Sequence, residues 1–178
     1  MINKKIFLLS GVHGVGKGYF LENILKGDGN YTILEASNLI RQYKDAEDAG
    51  YKMVKDVSDN QKVLLKALIA EKRQIETDII LDGHLCIINK NGDIERIPKE
   101  FLIKASVHGI ILLQDDVENI IERQNLRDGV GLEKQTIAKI QEDEIKYCEV
   151  LKNELSIPYI VIDGECTYNQ FIKELNQI

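Results

Sequence analysis

The sequence predicts an α/β fold, a five-stranded parallel sheet with helices on both faces, and three observations support it. Short apolar runs alternate with segments of helical periodicity along almost all of the 178 residues. Two of these runs, Lys5–Ser10 and Gly109–Leu113, are continuously hydrophobic, as strands covered on both faces must be. A glycine-rich loop stands between the first run and the first helix. In such sheets, joined by right-handed crossovers, ligands bind at the carboxyl ends of the strands, which is where this loop falls.

The elements follow in order. Lys5–Ser10 is the first strand, Gly11–Gly18 the loop, and Lys17–Lys26 a helix ending near Gly27. Tyr31–Glu35 is the second strand and Ser37–Tyr43 a short helix, followed by a polar, weakly patterned loop over Asp45–Lys55. Val57–Gln74 is a longer helix with Val63, Leu64, Ala67 and Leu68 on one face. Thr77–Asp82 is the third strand. Beyond it, Cys86–Ile88 and Ile94–Ile97 flank Asn91-Gly92, the dipeptide preferred in tight hairpin turns. Pro98 opens a short helix, since a first-turn proline gives up no helical hydrogen bond.

Gly109–Leu113 is the fourth strand, and His108 before it belongs to the edge away from the loop, in a structural role. Asp116–Arg127 is a helix capped by Asp115 or Asp116, with Val117, Ile120 and Ile121 inward. A break at Asp128–Gly131 precedes a long helix over Glu133–Leu155, with Ile137, Ile140, Cys148, Leu151 and Leu155 as its buried stripe and Gln141–Glu144 as a solvated face. Tyr159–Asp163 is the fifth strand. Thr167–Ile178 is the last helix, opened by a capping box of Thr167 and Gln170.

Composition narrows the function classes. Hydrophobic residues at 44% exclude a disordered chain, and with two prolines no Pro-rich linker divides residues 1–178 into separate domains. No apolar run approaches the roughly 20 residues that span a bilayer. The first residues read as a strand and not as a cleaved leader, so a cytoplasmic protein is expected. A net charge of −6 argues against membrane-surface or nonspecific nucleic-acid binding, both of which need a basic face. Cys86, Cys148 and Cys166 lack paired spacing and read as buried free thiols.

The loop Gly11-Val-His-Gly-Val-Gly-Lys17 satisfies G-x4-G-K between a buried strand and a helix. Glycines let successive backbone N–H groups turn toward one anion, and the helix start adds its positive dipole end. Lys17 supplies a point charge within reach of the β- and γ-phosphates. The nucleotide-binding stretch is therefore Gly11, His13, Gly14, Val15, Gly16, Lys17, Gly18 and Tyr19. Gly18 stands where many such loops place a magnesium-ligating hydroxyl.

With glycine after the lysine, the loop resembles the nucleoside monophosphate kinases, adenylate kinase above all. That resemblance implies a P-loop kinase type of sheet with ATP and Mg2+ as cofactors, and a nucleoside monophosphate as the small-molecule acceptor. Glu35-Ala-Ser-Asn-Leu-Ile-Arg41 looks like the family's monophosphate-binding segment. An acceptor-binding part over about 36–75 is implied, with Ser37 and Arg41 as its contacts. In this segment Asn38 replaces an acidic residue and Ala36 a threonine. Leu81-Asp82-Gly83-His84 resembles the aspartate–glycine pair after the third strand, so Asp82 would hold magnesium and His84 would stand where the family has an arginine. Arg123 and Arg127, four apart on one helix face, resemble the arginines that edge the lid. The lid, about 123–132, is short. Tyr19 replaces the family's threonine.

The catalytic set expected is Lys17, Arg123, Arg127 and Asp82, moving the γ-phosphoryl group of ATP. The alternative reading of Arg123 is a structural ion-pair partner of a nearby carboxylate such as Glu122 or Asp128. The alternative function is an ATP-hydrolysing module that regulates a partner protein, docked at the edge of the 86–97 hairpin. A GTPase is disfavoured, because Asn89-Lys90-Asn91-Gly92 lacks the aspartate of a guanine-reading motif.

Overall fold

The computed structural model describes residues 4–23, 25, 29–48, 57–89, 91–129 and 131–178. Strands β1 (Ile6–Ser10), β2 (Tyr31–Glu35) and β3 (Asp78–Asp82) are followed by β4 (Cys86–Ile88), β5 (Ile94–Arg96), β6 (Val107–Gln114) and β7 (Tyr159–Asp163). Five of them form one parallel sheet in the order β2-β3-β1-β6-β7, and β4 and β5 make a separate antiparallel hairpin. β1 is central and buried at every position, which accounts for its unbroken apolar run. The outermost strands β2 and β7 alternate between covered and open positions. Register brings the strand ends level: Leu9 and Glu35 both lie opposite Asp82, Ser10 opposite Leu112, and Gln114 opposite Asp163.

The helices are α1 (Lys17–Asn23), α2 (Ala36–Asp48), α3 (Val57–Lys72), α4 (Lys99–Ala105), α5 (Val117–Asp128), α6 (Lys134–Leu155) and α7 (Tyr168–Leu175). α3 buries Val63, Leu64, Ala67 and Leu68, as its periodicity predicts. α1 docks on α7 through Phe20 and Phe171, edge to face at 5.1 Å. α7 carries the predicted capping box, with Thr167 and Gln170 exchanging side chain–backbone bonds. His108 lies at the amino-terminal end of β6 with its ring edge-on to Phe7, far along the strand from the loop side.

Several expectations are revised. α2 runs from Ala36 to Asp48, so the first residues of the expected 45–55 loop are helical, while 49–56 lie outside the described residues. α1 ends at Asn23, and the stop expected near Gly27 also falls outside them. On α6 the stripe holds at Ile137, Ile140, Cys148 and Leu151, but Leu155 is only partly covered. The expected solvated face at Gln141–Glu144 is wrong for its last member: Glu144 is fully buried. Glu144 stands seven residues after Ile137, two helical turns along the same inner face, and its charge led to the solvated reading. Cys86 and Cys148 are buried thiols, and Cys166 is half-buried.

The hairpin packs against α6. Tyr147 donates its hydroxyl to the Ile97 carbonyl at 2.5 Å, and Arg96 grips Asp143 through two bonds of 3.0 and 2.6 Å while lying over the Tyr147 ring. One part of the proposed docking edge is therefore occupied within the chain itself.

Candidate active site

The glycine loop leaves β1 at the carboxyl edge of the sheet, and its shape is set by contacts that tolerate no side chain at two positions. A Cβ on Gly11 would stand 2.6 Å from the Leu113 carbonyl oxygen, so only glycine lets the loop pass so close to β6. Gly14 has φ +86°, and a Cβ there would strike Gln124 at 2.8 Å. Gln124, on α5, is buried and fully paired. It donates to the His13 carbonyl at 2.6 Å and accepts the Leu132 N–H at 2.7 Å, joining the glycine loop to the segment before α6. Nothing in the sequence singled out this glutamine, whose role depends on two backbone groups distant along the chain.

Lys17 lies at the start of α1 with its side chain only 10% exposed. Its ammonium donates to the Gly83 carbonyl at 2.9 Å and to His84 Nε2 at 2.9 Å, and pairs with Asp82 Oδ1 at 3.3 Å. An ammonium has three protons to donate, and three acceptors face it. Burial pulls the Lys17 pKa down, while Asp82 and Glu144 oppose that shift. Burial beside this cation also lowers His84 to about 3, so its imidazole is neutral at physiological pH and presents Nε2 as an acceptor.

Behind Lys17, Ser10 at the end of β1 donates to Glu144 Oε1 at 2.8 Å and accepts the Leu85 N–H at 2.7 Å. The triad connects β1, the turn after β3, and α6. Burial pushes the Glu144 carboxyl up to about 7, with Ser10 and Lys17 working against the rise. Its second oxygen has no partner among the described residues.

The α5 arginines complete the site from above. Arg123 donates to the Val15 carbonyl at 2.9 Å and pairs with Asp115, not with Glu122 or Asp128. Burial works against the Asp115 carboxylate, yet hydrogen bonds from Asn119, Arg123 and the Asp116 N–H hold its pKa below the usual range. Asp115 thus secures the helix start. Asp116 occupies the N-cap without a side-chain bond. Arg127 contacts His13 and Asp128, and burial together with Arg127 lowers the pKa of His13.

One cavity of 780 Å3 is lined by His13, Gly14, Val15, Gly16, Lys17, Gly18 and Tyr19, by Asp82 and His84, by Ser37, and by Arg123 and Arg127. Of the residues expected at the site, Gly11 lies beneath the loop and Arg41 stands outside this lining. Arg41 is exposed and donates to Asn38 Oδ1 at 2.8 Å, while Asn38 bonds to Glu35.

The residues suit a polyphosphate. A loop whose backbone turns inward at glycines, a helix start and three cations face the same space. They also fit magnesium arriving with a nucleotide. Among the described residues no group of three or more His, Cys, Asp or Glu side chains could hold a metal alone. Asp82 is a single carboxylate, and Mg2+ typically takes one or two carboxylates with waters and substrate phosphates.

Comparison with known proteins agrees with this geometry. The family model described as an AAA domain matches residues 10–144. Among solved structures, the chain resembles the Deinococcus radiodurans tunicamycin resistance protein at TM-score 0.60 and 16% identity, covering 97% of this chain and 93% of that one. It also resembles a gluconokinase from Sinorhizobium meliloti 1021 at TM-score 0.50 and 16% identity, covering 96% and 88%. At that identity these likenesses concern the fold. No curated protein matches the sequence. The family match begins at the end of β1, takes in the loop, Asp82 and both α5 arginines, and ends at Glu144, so the chain belongs to the AAA domain family.

Proposed function

We propose that the protein is an ATP-dependent phosphotransferase that moves the γ-phosphoryl group to a small acceptor. The observation that carries this reading is the convergence on Lys17. The buried ammonium faces the same cavity as the glycine loop, Asp82, Arg123 and Arg127. Phosphoryl transfer needs positioning and charge neutralisation more than a protein nucleophile, and these residue types supply both. Lys17 would exchange one of its present acceptors for phosphate oxygens. Arg123, tied by Asp115 and the Val15 carbonyl, is positioned to meet charge that develops as the group moves. Magnesium, held by Asp82 and the nucleotide phosphates, would neutralise the β- and γ-oxygens. In this reading residues 36–75 serve the acceptor and 123–132 act as the lid within one catalytic unit.

A nucleoside monophosphate acceptor would draw on Arg41. That guanidinium is engaged with Asn38 outside the cavity lining, which speaks for a different acceptor chemistry. The regulatory ATPase remains a second reading, for the same reason: the arginine expected to hold an acceptor phosphate, Arg41, stands outside the cavity lining. The test is phosphoryl transfer from ATP screened across nucleotides and metabolites, with hydrolysis measured in parallel. Transfer to a small molecule upholds the kinase. Hydrolysis with no acceptor across the screen moves the assignment to the regulatory module.

A further inference from the structure

A second, smaller pocket of 180 Å3 opens from the site at Ala36, Ser37, Gly83 and His84, which line both spaces. Its walls are mostly apolar, with Leu8, Ile40, Leu64, Leu81, Ile87 and Phe101 among them. Two amides from the first turns of α3, Asn60 and Gln61, also line it. Asn60 Oδ1 and Gln61 Oε1 are cut off from solvent and have no hydrogen-bond partner among the described residues. Buried amide oxygens without a donor are uncommon and unfavourable, and the two residues that carry them stand in this pocket's wall, where a turn of each amide would bring it to an arriving donor. Among the described residues no lysine or arginine lines this pocket. His84 is neutral there.

The geometry points to a small uncharged alcohol as the phosphoryl acceptor, bearing further O–H or N–H groups that Asn60 Oδ1 and Gln61 Oε1 read. This rests on the phosphotransferase reading above and names its substrate class. An anionic acceptor would have to enter a mostly apolar pocket whose lining, among the described residues, has no lysine or arginine to receive its charge. A hydroxyl suits an amide whichever way the amide is turned, because it both donates and accepts. The volume falls below the roughly 300–1,000 Å3 of pockets for drug-sized ligands, so it suits one ring or a short polyol chain. In the reaction the acceptor oxygen bonds to the γ-phosphorus as the bond to the β-bridging oxygen breaks. The electron pair leaves on ADP, the hydroxyl proton goes to solvent water, and a phosphate ester is formed.

The test uses the full chain with radiolabelled ATP and two matched sets of probes. One set is adenosine, cytidine, thymidine, glucose and glycerol, and the other is the 5′-monophosphates of the same nucleosides with glucose 6-phosphate and glycerol 3-phosphate. Label is expected on at least one uncharged probe in preference to its phosphorylated counterpart. Asn60→Leu and Gln61→Met should each raise the KM of that probe about tenfold to hundredfold, the effect of losing one hydrogen bond of typical to charge-assisted strength. The kcat and the KM for ATP should change little, a split that a general loss of packing would not give. Melting temperature should hold or rise, since each change removes an unpaired polar atom from the interior. Preference for the phosphorylated set, label on no uncharged probe, or an unchanged acceptor KM in the folded variants overturns the inference. Calorimetry with ATP separates this from the underlying reading, because absent ATP binding would remove that reading and this inference with it.

Discussion

The cavity under the glycine loop and the smaller pocket beside it meet at the same four residues but are made in opposite ways. The first is built from charge. Lys17, Arg123 and Arg127 converge on it, and Asp82 and Asp115 hold two of them in place. The second is built from hydrocarbon and two amides whose oxygens have no partner among the described residues. Charge on a flexible stem accommodates a group that moves during reaction, whereas apolar walls with a few fixed polar atoms recognise one shape. On the function proposed above, the charged side carries the chemistry and substrate identity resides in α2, α3 and the turn after β3.

The strongest way to break this division is at Lys17. Lys17→Met should leave a cooperatively folded protein and lower ATP affinity by about a hundredfold, since charge-assisted bonds contribute ~1.5–3 kcal/mol each and Lys17 directs several at one point. Calorimetric titration alongside a circular dichroism melt measures both. Unchanged affinity in the folded variant would end the phosphate-loop assignment.

Glu144 tests whether the scaffold behind Lys17 is tuned by burial. Its carboxyl rises from 4.5 to about 7 on folding. The folded chain therefore holds this proton more tightly than the unfolded chain. The resulting stability is present below about pH 4.5 and is lost as the pH rises to about 7. Glu144→Gln removes the titrating proton while keeping the oxygen that accepts from Ser10. The variant should be more stable than the parent at pH 8 by as much as about 3 kcal/mol, taking 1.36 kcal/mol per unit. Denaturant melts at pH 5 and pH 8 read this directly. Equal differences at the two pH values would show that the carboxyl does not titrate in this range.

Arg123→Ala should lower kcat by about tenfold to hundredfold and the apparent ATP affinity by less, because its charge matters most while the phosphoryl group is in flight. Steady-state kinetics separate the two constants. Equal losses in both would place Arg123 in ground-state binding. Asp82→Asn should weaken the magnesium dependence of turnover more than metal-free nucleotide binding, by a smaller factor, and a magnesium titration of the rate reads it. Survival of both activity and metal dependence would make Asp82 the structural partner of Lys17.

The smallest effect belongs to Arg41. Exposed and bonded to Asn38, its replacement by alanine should change stability by less than ~0.5 kcal/mol. It should also leave the KM of an uncharged acceptor unchanged. A large rise in the KM of a phosphorylated acceptor would return Arg41 to the site and the monophosphate reading with it.

The sequence by itself determined the elements and the glycine loop, because those signals are local. The five core strands, the Asn91-Gly92 turn, the helix after Pro98 and the Thr167–Gln170 capping box all follow from neighbouring residues. The glycine loop is legible for the same reason, since its backbone, its lysine and its helix start lie within eight consecutive residues, Gly11–Gly18. Tertiary structure alone decided what joins distant parts of the chain. Glu144 read as one more acid on a solvated helix until Ser10 and Leu85, 134 and 59 positions away along the chain, closed over it. Gln124 is an ordinary helix residue in sequence and a clamp between His13 and Leu132 in space. Asn60 and Gln61 carry no pattern at all. Only in the folded chain do their oxygens lose water while the two residues line a pocket. Burial sets the energy of a polar atom, and burial is a property of the fold that no short stretch of sequence contains.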